Sequence, residues 1–97
     1  MTDEPAITRE VRGAKGRYAL RRGDEVAKLT FTVVSPSRII ADHTYVPESF
    51  RGSGAGRALV DRMIADARAE GFTILPHCPY VKAQRQKHPE WDDVFTE

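Results

Sequence analysis

Arg51-Gly52-Ser53-Gly54-Ala55-Gly56-Arg57 has the composition of a backbone shaped to hold a phosphate. Its three glycines let the chain pass close to a ligand and adopt positive φ where it must. A helix starting here would aim its unpaired N–H groups and positive dipole end into the turn. Two common glycine motifs do not fit. A Walker loop ends in Gly-Lys-Ser/Thr, whereas Gly56 is followed by Arg57 and Ala58. A dinucleotide fingerprint needs a third glycine where this chain has Arg57 or Leu59.

Beyond the turn, nucleophile and base chemistry falls to Cys78, His43, His77 and His88. A cysteine is a nucleophile when its surroundings favour the thiolate, and otherwise a small buried apolar residue. On an extended segment the adjacent His77 points away from Cys78, which makes His43 the better partner. His43 itself reads either as a general base at neutral pH or as a satisfied core histidine. His43, His77, Cys78 and His88 match no zinc spacing, so no metal is expected.

These residues need elements to position them. Arg17–Arg22 and Glu25–Val34 flank Gly23-Asp24 and read as a β-hairpin. Val26, Leu29, Phe31 and Val33 are the expected buried face, with a bulge or register fault near Ala27-Lys28-Leu29. Arg38–Val46 is a third strand, ended by Pro47. From Gly54 to Glu70, Leu59, Val60, Met63, Ile64 and Ala67 form a helical core stripe that Gly71 stops. Phe72–Leu75 is a short buried strand and Val81–Lys87 a second helix, followed by a break at His88-Pro89-Glu90. Met1–Glu10 reads as a flexible end.

The order strand, glycine turn, helix is more specific than the turn alone. Arg51, Gly54 and Gly56, as Arg-x-x-Gly-x-Gly in that setting, resemble the pyrophosphate loop of the GNAT superfamily of acetyl-CoA-dependent N-acetyltransferases. His43–Val46, Pro76-His77-Cys78-Pro79-Tyr80 and His88-Pro89-Glu90-Trp91 further resemble a subgroup of very small, single-domain members. Those carry Pro-x-Cys-x-aromatic, then His-Pro-x-aromatic. The resemblance runs from about Tyr18 to Phe95. It implies a single α+β domain over residues 1–97 with a truncated GNAT-like fold: a mostly antiparallel sheet of about four or five strands with two helices. Larger members continue with two more strands.

The resemblance also implies roles. Backbone N–H groups of Gly52, Ser53, Gly54, Ala55, Gly56 and Arg57 would hold the pyrophosphate, and the strand end at Tyr45 and Val46 would pair with the pantetheine arm. Arg51 and Arg57 would add charge-assisted contacts, unless they pair with Glu48 and Asp61. Cys78 would lie where the sheet opens, near the thioester, either as acetyl acceptor in a ping-pong route or as a passive contact. The tyrosine that typical members carry on the final helix is missing from Lys82–His88, and Tyr80 falls before that helix. Acetyl-CoA is the expected cosubstrate, with an unknown amine or partner protein as acceptor. The rival reading is an acetyl-CoA-binding module without efficient turnover.

Composition narrows the classes. The chain has 97 residues and a formal net charge of +1, far from the footprint of a nucleic-acid binder. The basic cluster Arg12, Lys15, Arg17, Arg21, Arg22 reads as a solvated strand face. One cysteine, no apolar leader and no membrane-length run make the cytoplasm the expected compartment.

Overall fold

The computed structural model describes residues 7–50 and 52–96. Strands β1 (Ile7–Arg12), β2 (Lys15–Arg22), β3 (Glu25–Ser35) and β4 (Arg38–Tyr45) form an antiparallel meander. Helix α1 (Ala55–Glu70) crosses to β5 (Thr73–Pro76), which pairs parallel with β4, and helix α2 (Pro79–Lys87) follows. Strand order is sequential, β1 to β5. The result is an α+β fold with a five-stranded, mostly antiparallel sheet and two helices.

Local chemistry explains the layout. Gly13 and Gly23 take positive φ, 62° and 59°, and close the two hairpins β1–β2 and β2–β3. Alternation then sorts the strands. Cross-strand partners share a face, so Tyr18, Leu29, Gly16, Phe31 and Ala41 lie together. Against this face α1 lays Leu59, Val60, Met63 and Ile64, all buried. The Tyr18 hydroxyl donates to Asp66 of α1 at 2.9 Å, and Arg9 and Arg62 pair with the same carboxylate. Gly16 leaves room for the Phe31 ring, since a Cβ there would lie 2.4 Å from a ring carbon. Past α1, Gly71 (φ 80°) turns the chain, its N–H returning to the Ala67 carbonyl.

The opposite face of the meander is polar. Glu10, Arg17, Thr30 and His43 form one cross-strand row, and Arg12, Lys15 and Thr32 the next.

Several expectations change. Residues 7–12 form β1, so the expected flexible end does not extend over 7–10, and residues 1–6 lie outside the described residues. The residues of β1 are almost all exposed and carry no apolar alternation, so composition does not mark the strand. In β3 the buried set is Ala27, Leu29 and Phe31, with Val26 and Val33 only partly buried. Its alternation is regular at Ala27-Lys28-Leu29. Two irregularities lie further on: Val34 is skipped between Val33 and Ser35, and Thr30 pairs with His43 but Phe31 with Ala41, making Asp42 the extra residue of a β4 bulge. Helix α2 begins at Pro79, two residues earlier than the periodicity suggests, because proline at the first helical position needs no hydrogen-bond acceptor. Tyr80 is therefore in its first turn.

Candidate functional site

The glycine turn has the conformation its composition predicts. Gly52 and Gly54 sit at φ 80° and 78°, and Gly54 caps α1. The first helical hydrogen bond runs from Ala58 N–H to the Gly54 carbonyl at 2.9 Å. Upstream of it, the N–H groups of Gly56 and Arg57 have no backbone acceptor among the described residues. Gly52, Ser53 and Gly54 are exposed, whereas Ala55 and Gly56 are buried. Arg51 lies outside the described residues.

Gly56 has a different reason to be glycine. A Cβ there would lie 2.8 Å from the Tyr80 hydroxyl and 3.0 Å from the ring carbon bearing it. The tyrosine thus rests on the first turn of α1. Partial burial raises its hydroxyl above the ordinary tyrosine pKa, with Arg57 pulling the other way.

Beside the turn, the sheet opens. Pairing of β4 with β5 stops at Ala41 opposite Pro76. The next two N–H groups, of His77 and Cys78, both donate to the Ala41 carbonyl at 3.0 Å. The chain then leaves the sheet into α2. His43, Thr44 and Tyr45 continue to pair with β3 but have no partner on the β5 side among the described residues. Tyr45 is exposed, and Val46 packs partly against the core.

The Asp42 bulge decides what faces this opening. It shifts the phase of β4, so Thr44 falls opposite Leu29 on the core face while His43 and Tyr45 share the polar face. Cys78, buried at the N-cap of α2, therefore meets Thr44, with Sγ and Oγ1 3.3 Å apart. The expected His43–Cys78 pair is replaced by Thr44–Cys78. His77 does lie away from the thiol, joining His43 elsewhere.

That elsewhere is a cavity of about 950 Å³ on the polar side of the meander. His43, His77 and Asp42 line one end, and Glu10, Arg12, Lys15 and Arg17 the other. Glu10 is held by Arg17 at 2.9 Å and Arg21 at 3.7 Å, and Arg17 beside it keeps the Glu10 carboxyl below the ordinary range. A hydrogen-bonded chain runs from Lys15 Nζ to Thr32 Oγ1 (2.9 Å), and from that hydroxyl to Asp42 (2.7 Å).

Arg57 is committed to its own helix and the C-terminal segment. It pairs with Asp61 at 3.0 Å and lies over the Trp91 ring at 5.3 Å. His88 stacks on the same indole at 4.2 Å and contacts Glu90, apart from the other histidines. Thr44, Asp42 and Tyr80 were not singled out as site residues from the sequence. Only Tyr80 had a usable signal, proline at the first position of α2; a bulge leaves no mark on composition.

Comparison with known proteins agrees with this geometry. A family model described as GCN5-related N-acetyl-transferase matches residues 17–94. The solution structure of a GCN5-like N-acetyltransferase candidate from Staphylococcus aureus superposes with a TM-score of 0.70 at 23% identity, covering 98% of this chain and 91% of that one. A search of curated proteins found no match.

Proposed function

This chain belongs to the GCN5-related N-acetyltransferase family, and from that premise we propose that it binds acetyl-CoA and transfers the acetyl group to an amine. One observation carries the reading: a left-handed glycine turn, whose Gly56 and Arg57 N–H groups have no backbone acceptor among the described residues, opens α1 beside a strand end that has lost its parallel neighbour. The pyrophosphate would sit on the N–H groups of Gly52 and of Gly54 to Arg57, where the helix dipole favours negative charge, whereas the expected Ser53 N–H is already spent on the Phe50 carbonyl at 2.9 Å. The pantetheine arm would run along β4 at Thr44–Val46, replacing β5 as hydrogen-bond partner and bringing the thioester toward Cys78. Arg51 and Arg57 remain proposed phosphate contacts, with Arg57 having to give up part of its Asp61 pairing.

Transfer requires a neutral amine at the thioester carbon. Its nitrogen bonds to that carbon, the C–S bond breaks, and CoA leaves with the electron pair as a thiolate that is then protonated. His43, on the cavity side of β4, is the group we assign to take the amine proton. Tyr80 is the phenol nearest the glycine turn and a candidate proton donor to the departing sulfur.

A second reading rests on Cys78. Its buried thiol at the same opening, held by Thr44, favours a protein that binds acetyl-CoA or carries the acetyl group itself without fast turnover. Mass spectrometry after incubation with acetyl-CoA separates the two. Amine-dependent release of CoA supports the enzyme. A stable acetyl adduct that disappears in Cys78→Ala, with no release to amines, supports the carrier.

A further inference from the structure

We propose that this chain pairs with a second copy of itself along the open edge of β1, in one register that the charges of the edge select. The inference stands apart from the acetyltransferase reading.

Strand β1 is the outer strand of the sheet, so half of its backbone groups face away from β2. The first turn tells which half. The Val33 N–H donates to the Ala14 carbonyl at 2.6 Å, so Ala14 bonds toward β3 and, by alternation, Lys15 toward β1. Its partner Arg12 therefore bonds inward, as do Glu10 and Thr8, while Val11, Arg9 and Ile7 turn their backbone outward. Arg62 of α1 already covers the Ile7 carbonyl at 2.9 Å. Arg9 and Val11 are left as the open stretch, and the Val11 side chain is 54% exposed.

Two identical strands related by a two-fold axis run antiparallel, and outward residues must meet outward residues. Few registers qualify. An axis at Arg9, Glu10 or Arg12 sets that residue against its own copy, and like charges directly opposite are destabilising. An axis at Val11 instead sets Val11 against Val11 and Glu10 opposite Arg12, twice. Within one chain Arg12 lies beside Lys15 and has no ion-pair partner among the described residues. Glu10, held at one oxygen by Arg17, would supply that partner to the second copy.

The helices do not obstruct this pairing. The axis is perpendicular to the sheet, so both copies of α1 lie on one face. Helix α1 packs over β2 and β3, which puts the two helices four strand spacings, about 19 Å, apart. Packed helices need only about 8–10 Å. On the other face Glu10, Val11 and Arg12 border the cavity, so the β1 strand of the second copy would extend its outer wall.

One strand pair is a small interface, so the dimer should be weak. Sedimentation equilibrium of the full chain from about 10 μM to 1 mM should show reversible dimerisation. Amide NMR over the same range should shift the Arg9 and Val11 N–H groups ahead of those of Thr8, Glu10 and Arg12. Glu10→Arg and Arg12→Glu each set like charges opposite and should weaken dimerisation about tenfold or more. Mixed in equal amounts, the two variants restore opposite charge at both contacts and should dimerise with each other. Both positions are exposed, and circular dichroism checks folding. Should either variant misfold, Val11→Pro removes an outward N–H that the monomer does not use and should also give a monomer. A wild-type chain that stays monomeric at 1 mM overturns the proposal. So do dilution shifts on another surface, variants that dimerise unchanged, or a mixture that fails to associate.

Discussion

The hydroxyl of Thr44 lies 3.3 Å from the sulfur of Cys78, although thirty-four positions separate the two residues. The contact exists because Asp42 bulges out of β4 and turns Thr44, not His43, toward the core face. The sheet thus separates two chemistries. The thiol and its hydroxyl partner lie on one side, and the histidines and their cavity on the other.

This separation predicts different defects for two variants. Thr44→Val should slow formation of an acetyl adduct on Cys78 about fivefold, the kinetic equivalent of one hydrogen bond of about 1 kcal/mol. His43→Ala should instead lower turnover to amines. Intact mass after timed incubation reads the first and CoA release the second. If His43→Ala slowed the adduct and Thr44→Val did not, the assigned partnership would be reversed.

Gly54 predicts a separation of folding from binding. A Cβ at this position meets nothing within 4 Å, so only its φ of 78° resists substitution. Gly54→Val should cost about 1–2 kcal/mol of stability, the left-handed penalty, yet stay folded. Bulk beside the N–H groups should nonetheless reduce acetyl-CoA affinity by at least tenfold. Gly54→Asn, which tolerates this region, should fold with less loss. Urea unfolding and calorimetric titration on the same samples make the comparison.

Gly56 answers to a side chain. Gly56→Ala puts a methyl 2.8 Å from the Tyr80 hydroxyl, which should cost about 1–3 kcal/mol against about 1 kcal/mol gained in helix propensity. In a Tyr80→Leu background the steric cost should largely vanish. A double-mutant cycle in urea measures the coupling, and additivity would show that the two residues do not meet.

The loop and α1 were legible because composition and periodicity act locally there: positive φ selects glycine, and core burial selects Leu59, Val60, Met63 and Ile64. Long-range register was not legible. Nothing in Ala41-Asp42-His43-Thr44 marks which residue bulges, yet that choice decides whether His43 or Thr44 meets Cys78. Strand β1 was missed for a related reason. It is tied down by its ladder to β2 and by Arg9, which reaches Asp66 and Glu70 on α1, not by apolar residues of its own.

Acid should loosen the C-terminal segment. Arg68 binds the Asp93 carboxylate at 2.8 Å and the Glu90 carbonyl at 2.8 Å, tying α1 to the segment just before Val94–Thr96, which pairs with Ile74 of β5. The guanidinium holds the Asp93 carboxyl below the ordinary aspartate range. A carboxyl depressed in the folded state contributes stability above its unfolded pKa and loses it as pH falls through the folded value. Stability should therefore decline below about pH 4, by less in Arg68→Gln and by less in high salt, as expected of exposed charges. Urea midpoints against pH give the answer, and identical curves for the two proteins would remove the pair from the account.

In the proposed function, acetyl-CoA occupies the glycine turn and the open edge of β4. Amide NMR during titration with acetyl-CoA tests it residue by residue. Saturable shifts should concentrate at Gly52–Arg57 and Thr44–Val46, with Cys78 and Tyr80 following. No shifts at millimolar cofactor, or shifts confined to another surface, would contradict it.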